Sequence, residues 1–153
     1  ELLGSLETTI NNYYSMLAGH PYFVKIRLQP DVKKPLIYNV RGVTEDETLS
    51  TYIPTRFSGA QMNLVGISLF LAHAEKMLNQ LATIIMDDPT QSFDESHKRD
   101  LVKVIKELSE SRQVVLATQD EEFSDAVQDS CGTKVAIWNF TEWSEEGPVI
   151  KAQ

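Results

Sequence analysis

The chain has 153 residues, enough for a single domain with a core of its own. With 42% hydrophobic and 24% charged residues it has the balance of a globular protein rather than a disordered one, and no apolar run reaches the roughly 18 residues of a membrane-spanning helix. A formal net charge of −8 repels polyanions, so the chain is not by itself suited to binding DNA.

Residues 2–17 place Leu2, Leu3, Leu6, Ile10, Tyr13, Tyr14 and Leu17 at the three- and four-residue spacing of an amphipathic helix. Gly19, His20 and Pro21 end it. From Tyr22 to Leu28 the pattern alternates as on a strand, with Phe23, Lys25 and Arg27 facing opposite to Tyr22, Val24, Ile26 and Leu28. Pro30 and Asp31 mark a turn, and a second alternating run from Leu36 to Val43 completes a predicted hairpin with one solvated side. Lys25, Arg27, Lys33 and Lys34, the one local basic cluster, read as part of that solvated face. Residues 44–55 are polar and irregular.

A long helix is predicted from about Ser58 to Leu81, with Ser58 as N-cap. Met62, Leu64, Val65, Ile67, Leu69, Phe70, Leu71 and Ala72 make it apolar on most sides, which implies extensive burial. The run Thr83-Ile84-Ile85-Met86 does not alternate and suits a strand covered on both faces. Then come a helix over 95–111 with Leu101, Val102, Ile105 and Leu108 inward, an apolar strand from Gln113 to Thr118, a short helix from Asp120 to Gln128, and a last strand from Lys134 to Phe140. Strand–helix–strand–helix–strand order implies a parallel sheet with right-handed crossovers. The acidic start Asp120-Glu121-Glu122 suits the positive end of a helix.

Several features have plain readings. Trp138 and Trp143 read as packing residues, and Cys131, the one cysteine, as a structural thiol in a reducing compartment. His20 and His73 have no second ligand at metal spacing. There are no internal repeats. The chain opens at Glu1 without a signal-peptide pattern and reads as a piece of a longer protein.

Three segments carry chemistry. Phe57-Ser58-Gly59-Ala60-Gln61 is a small-residue turn at a helix start, where free backbone N–H groups and the helix dipole form an anion site. Asp87-Asp88-Pro89 ends an apolar strand, the edge of an α/β sheet at which ligands bind. There Asp87 is placed to hold Mg2+ and Asp88 to orient an attacking water. Thr118-Gln119-Asp120 ends the next strand, at the same sheet edge.

In this order the motifs resemble the ABC-type ATPases. Phe57-Ser58-Gly59-Ala60-Gln61 looks like the signature motif, Ile84-Ile85-Met86-Asp87-Asp88-Pro89 like the Walker B strand, Thr90-Gln91-Ser92-Phe93-Asp94 like the D-loop, and Val114 to Asp120 like the switch strand. The 29 residues from Ser58 to Asp87, and the helix with a hairpin ahead of them, are similar to the C-terminal lobe of SMC, SbcC, RecN and RecF heads rather than to a transporter domain. The fold implied is that of a P-loop NTPase C-terminal lobe: α/β, mainly parallel, with helices on the sheet. By resemblance, 1–20 is a coiled-coil root helix, 21–56 a hairpin and linker, and 57–153 the part that bears the motifs.

The resemblance implies an ATPase head in which two copies sandwich ATP. Ser58, Gly59 and Gln61 would contact the nucleotide held by the other copy, Asp87 would coordinate Mg2+, and Asp88 stands at the place of the catalytic glutamate. Ser92 and Asp94 would lie at the dimer interface, and Gln119 stands where a histidine senses the γ-phosphate. The shorter Asp88 and the uncharged Gln119 imply slow hydrolysis, or a non-catalytic scaffold lobe as the alternative. No G-x-x-x-x-G-K-[ST] occurs, and no Gly is followed by Lys, so the chain alone is expected to be inactive. The implied partners are an N-terminal lobe carrying that loop, a second head, and DNA through the whole assembly, with no membrane. The implied setting is the cytoplasm or nucleoid, in repair, chromosome maintenance or phage defence.

Overall fold

In the computed structural model, which describes residues 2–17, 19–34, 36–77 and 83–152, the first amphipathic pattern is the helix α1 (Leu2–Met16). Its Ile10, Tyr14 and Leu17 side are fully buried, packed on a second long helix and on the first strand. That strand, β1 (Lys25–Pro30), pairs antiparallel with β2 (Tyr38–Val43), which pairs with β3 (Ser50–Tyr52) in the order β1-β2-β3. The predicted hairpin is present, and the stretch expected to be irregular adds a third strand and a short helix, α2 (Ile53–Arg56).

β1 is an edge strand whose free edge is covered by side chains of α1. Asn11 accepts from the Ile26 amide (2.7 Å) and donates to the Ile26 carbonyl (2.8 Å), and Glu7 accepts from the Leu28 amide (2.6 Å). An edge with its polar groups paired in this way is no longer a template for another strand. The strand begins three residues later than predicted, because the Tyr22 and Phe23 amides donate to the His20 ring instead of a ladder. The basic face is neutralised locally. Lys25 lies 3.4 Å from Glu45, and Arg27 2.8 Å from Glu47.

The long helix is α3 (Gly59–Met77); its predicted end at Leu81 lies outside the described residues. Leu64, Val65, Ile67, Leu71 and Ala72 are buried as expected, whereas Met62 and Phe70 are exposed, so the helix has an open side. β4 (Thr83–Asp87) and β5 (Gln113–Ala117) pair parallel, connected through α4 (Glu95–Ser109). Leu101, Val102, Ile105 and Leu108 are all buried, as predicted. Only one face of β4 is covered: Ile84 and Met86 are buried, but Ile85 is 67% exposed beside a half-exposed Val115.

α5 (Glu121–Cys131) follows β5 and ends in a single 3-10 turn, Gly132–Lys134. The predicted last strand of the parallel sheet is not part of it. β6 (Trp138–Ser144) starts later and pairs antiparallel with β7 (Gly147–Ala152) as a separate two-stranded sheet. A register shift between Phe140 and Glu142 moves Trp143 onto the side of Trp138 and Phe140. All three are exposed, Trp143 by 82%, so the two tryptophans are not packing residues here. The fold is thus α/β, with a parallel pair flanked by helices, an N-terminal helix and a hairpin sheet.

Candidate functional site

The turn before α3 is held from behind. Phe57 is buried against His20 (ring centroids 4.9 Å apart) and Phe23 (6.0 Å). Gly42 on β2 leaves room for it: a Cβ there would lie 2.7 Å from Phe57 Cζ. His20 accepts the Tyr22 and Phe23 amides on Nδ1, and burial pushes its imidazole below its ordinary value.

The next residues form a reciprocal cap. Ser58 Oγ accepts from the Gln61 amide (3.2 Å), and Gln61 Oε1 accepts from the Ser58 amide (2.9 Å). This capping box satisfies two helix-end donors. It engages only one oxygen of each side chain, so the Ser58 hydroxyl proton and the Gln61 NH2 group stay available to donate. The amides of Gly59 and Ala60 belong to the first helical turn, where no intrahelical acceptor exists. A Cβ added at Gly59 would meet nothing within 4 Å.

The second part lies where β4 and β5 end. Asp87 pairs in register with Ala117, and the Asp88 amide donates to the Ala117 carbonyl (2.8 Å). This places residues 118 and 119 at the same end of the parallel pair as the two aspartates. Asp87, Asp88 and Gln119 are exposed, and no ion pair among the described residues involves either aspartate. Asp120 caps α5 by accepting the Phe123 amide (3.0 Å) and pairs with Lys98 of α4 at 2.7 Å. The Lys98 hydrogen bond holds the Asp120 carboxyl below its ordinary range, and the Asp120 bond raises Lys98.

Between these ends runs the loop 88–94, which is wound tightly. Asp88 (φ 43°) and Ser92 (φ 70°) are both left-handed. Gln91 N–H donates to Asp88 O (3.4 Å), Phe93 N–H donates to Thr90 O (2.9 Å), and Thr90 and Phe93 are buried. Asp94 is the N-cap of α4, accepting the Ser96 and His97 amides; the His97 amide is the main reason its carboxyl lies below the usual range. The loop is fastened to α3 by Asn63, whose Nδ2 donates to the carbonyls of Gln91 (3.0 Å) and Pro89 (3.4 Å).

The fold thus gathers Asp87, Asp88 and Gln119 at one edge, with Ser92 and Asp94 in the loop beyond. Ser58, Gly59 and Gln61 stand at the start of α3, joined to that loop through Asn63. Ser58 and Gln61 bond to one another and to none of Asp87, Asp88 or Gln119. Asn63 and Lys98 carry no motif; their only signal in the sequence is that Asn63 interrupts an apolar run.

The donor set suits Mg2+ held together with a phosphate. Such an ion uses one or two carboxylates and takes its other ligands from water and substrate. Asp87 and Asp88 are carboxylates without a cationic partner, and the described residues contain no protein-only cage of three or more ligands. The α3 start suits a terminal phosphate but lacks a cradle for a whole nucleotide.

No family model matches the sequence. Over 70 residues, 45% of the chain, it is 36% identical to the DNA double-strand break repair Rad50 ATPase of Sulfolobus acidocaldarius, and the match covers 8% of that protein. Over 78 residues, 48% of the chain and 9% of the relative, it is 32% identical to the Rad50 ATPase of Methanopyrus kandleri. The fold matches, over 99% of the chain and 85% of the other, a structure from work on ATP-driven dimerization and DNA stimulated activation of SMC ATPases (TM-score 0.73, 12% identity). It also matches, over 99% of the chain and 43% of the other, an Smc head bound to the C-winged helix domain of ScpA (TM-score 0.71, 13% identity). The chain spans less than a tenth of the curated relatives' length. The chain is thus similar to Rad50 ATPases over just under half its length and has the fold of the SMC heads over nearly all of it.

Proposed function

We propose that this chain is the half of an ATPase head that bears the signature and the catalytic carboxylate, and that it works with a P-loop lobe and a second head. The observation that carries this reading is the single connected end formed by the α3 start, the 88–94 loop and the β4–β5 edge. In it, the Ser58 hydroxyl, the Gln61 NH2 and the amides of Gly59 and Ala60 donate to a terminal phosphate held by the opposite head. That Ser58 and Gln61 bond to each other and not to Asp87 or Asp88 accords with the two parts serving different nucleotides. Asp87 would hold Mg2+, which would supply charge neutralisation at the phosphates. Asp88 accepts a proton from, and orients, the attacking water, and Gln119 hydrogen-bonds at the same edge. Ser92 and Asp94 face the second head.

On this reading residues 1–20 root a coiled coil, 21–56 form a hairpin and linker, and 57–153 form the motif-bearing part. The assembly couples ATP-dependent closure and slow hydrolysis to DNA repair, chromosome maintenance or defence, in the cytoplasm or on the nucleoid. The purified 153-residue chain is expected to show no saturable ATP hydrolysis, for want of a phosphate cradle.

The test is turnover and ATP-dependent dimerisation of the complete head. Asp88→Asn is expected to lower turnover by about 100-fold or more while closure persists. Ser58→Arg is expected to block closure. Undiminished turnover in Asp88→Asn removes Asp88 from catalysis. A parent head that closes on ATP without measurable turnover favours the scaffold reading.

A further inference from the structure

Asn63 lies one turn along α3 from Gly59, and its side chain reaches across to the loop that follows the β4 carboxylates. Both of its partners there are backbone carbonyls, those of Gln91 at 3.0 Å and Pro89 at 3.4 Å. Two acceptors leave the side chain a single workable orientation, with the NH2 group toward the loop and one hydrogen for each carbonyl. Pro89 is buried, so water is poorly placed to replace the donor at its carbonyl, whereas the Gln91 carbonyl is exposed and relies on Asn63 for its orientation more than for its solvation. The loop also holds two left-handed residues, Asp88 and Ser92, a conformation that persists only where surrounding contacts impose it.

We propose that Asn63 is a positioning residue: it fixes the 88–92 loop to the start of α3, so that Asp88 and the 58–61 turn meet a second head as one rigid surface. The inference rests on the reading of Asp88 and the turn given above. Asn63 touches no reacting atom. Its part is to set where the Asp88 carboxylate stands relative to the phosphate-facing amides. The isosteric change Asn63→Asp keeps the shape but removes both donors and sets a carboxylate against two carbonyl oxygens.

Two measurements test it together. In the chain, amide hydrogen exchange of Asn63→Asp is expected to quicken at Gln91 and Phe93, whose amides bond within the loop, and not at Asp88, whose amide is tied to Ala117. In the complete head, turnover is expected to fall on the order of 10- to 100-fold, because displacement of about 1 Å costs that much. The KM for ATP is expected to stay within about threefold, because the nucleotide is held chiefly by the other lobe. Should Asn63→Asp fail to fold, Asn63→Ala carries the same comparison. Parental turnover in Asn63→Asp, beside lost turnover in Asp88→Asn, overturns the positioning role and leaves the reading of the head intact. Parental turnover in both overturns both. Lost turnover with unchanged exchange at Gln91 and Phe93 overturns the loop as the route.

Discussion

His20 shows how one side chain can organise a turn. Its Nδ1 accepts two backbone amides while its ring packs on Phe57, so the neutral imidazole is the form the fold requires. Protonation would place a hydrogen against two N–H donors. Burial lowers the folded-state value below the ordinary 6.5, so the unfolded chain takes up the proton first. The contribution to stability is therefore whole above about pH 6.5 and is lost as pH falls through that value toward the lower folded one. Thermal unfolding is expected to weaken between pH 7.5 and 5.5, and less steeply in His20→Gln; equal slopes would remove His20 from the effect. What was legible at this scale was local. The Ser58 cap and the Asp120 cap follow from residues three positions apart. Asn63 with its loop partners, 26 and 28 positions away, and Lys98 with Asp120 are pairings made by the fold, which no spacing rule announces.

Among the elements, two glycines have opposite surroundings. Gly42 sits where any side chain would strike Phe57 and Phe23, so Gly42→Ala forces the ring ahead of Ser58 to move. Urea unfolding is expected to record a loss of about 1–3 kcal/mol, the usual cost of an overfilled core. Gly59 has open space around it, and Gly59→Ala in the first turn of α3 is expected to leave stability unchanged or raise it by up to about 1 kcal/mol. An unstable Gly59→Ala chain would mean the space is filled in solution. Helical periodicity repeats over many residues, and α1 and α4 lie within two residues of the bounds it implies. Strand alternation is a weaker guide. Tyr22 to Val24 alternates yet forms a turn, because a histidine offered its amides a nearer acceptor. The strand expected at Lys134 to Phe140 begins only at Trp138, and its partner β7 was not foreseen, since a bulge breaks the alternation and the turn at Glu145 and Glu146 lacks the usual hairpin pair.

Over the whole molecule, large apolar side chains stay exposed at several places, Val32 and Leu36 at the β1–β2 turn among them. Ile85 and Val115 lie side by side on the open face of the parallel pair, and Trp138, Phe140 and Trp143 line one side of the terminal hairpin. Both tryptophans are expected to show red-shifted emission and ready quenching by acrylamide in the isolated chain, and a blue-shifted, protected signal would contradict the exposed hairpin. Fold class is legible from the sequence because it depends on the order of short periodic runs of residues. Which faces stay open is not, because apolar composition alone does not distinguish a covered surface from a bare one.

The left-handed backbone at Asp88 bears on the shortness of its side chain. Aspartate tolerates φ 43° better than longer residues do, because its compact polar group bonds locally. Asp88→Glu would therefore lengthen the arm at a position that resists it, with a conformational penalty of about 1 kcal/mol. At this position a sharp reversal after the strand and a far-reaching carboxylate compete for the same residue, and the φ of 43° at Asp88 goes with the shorter side chain.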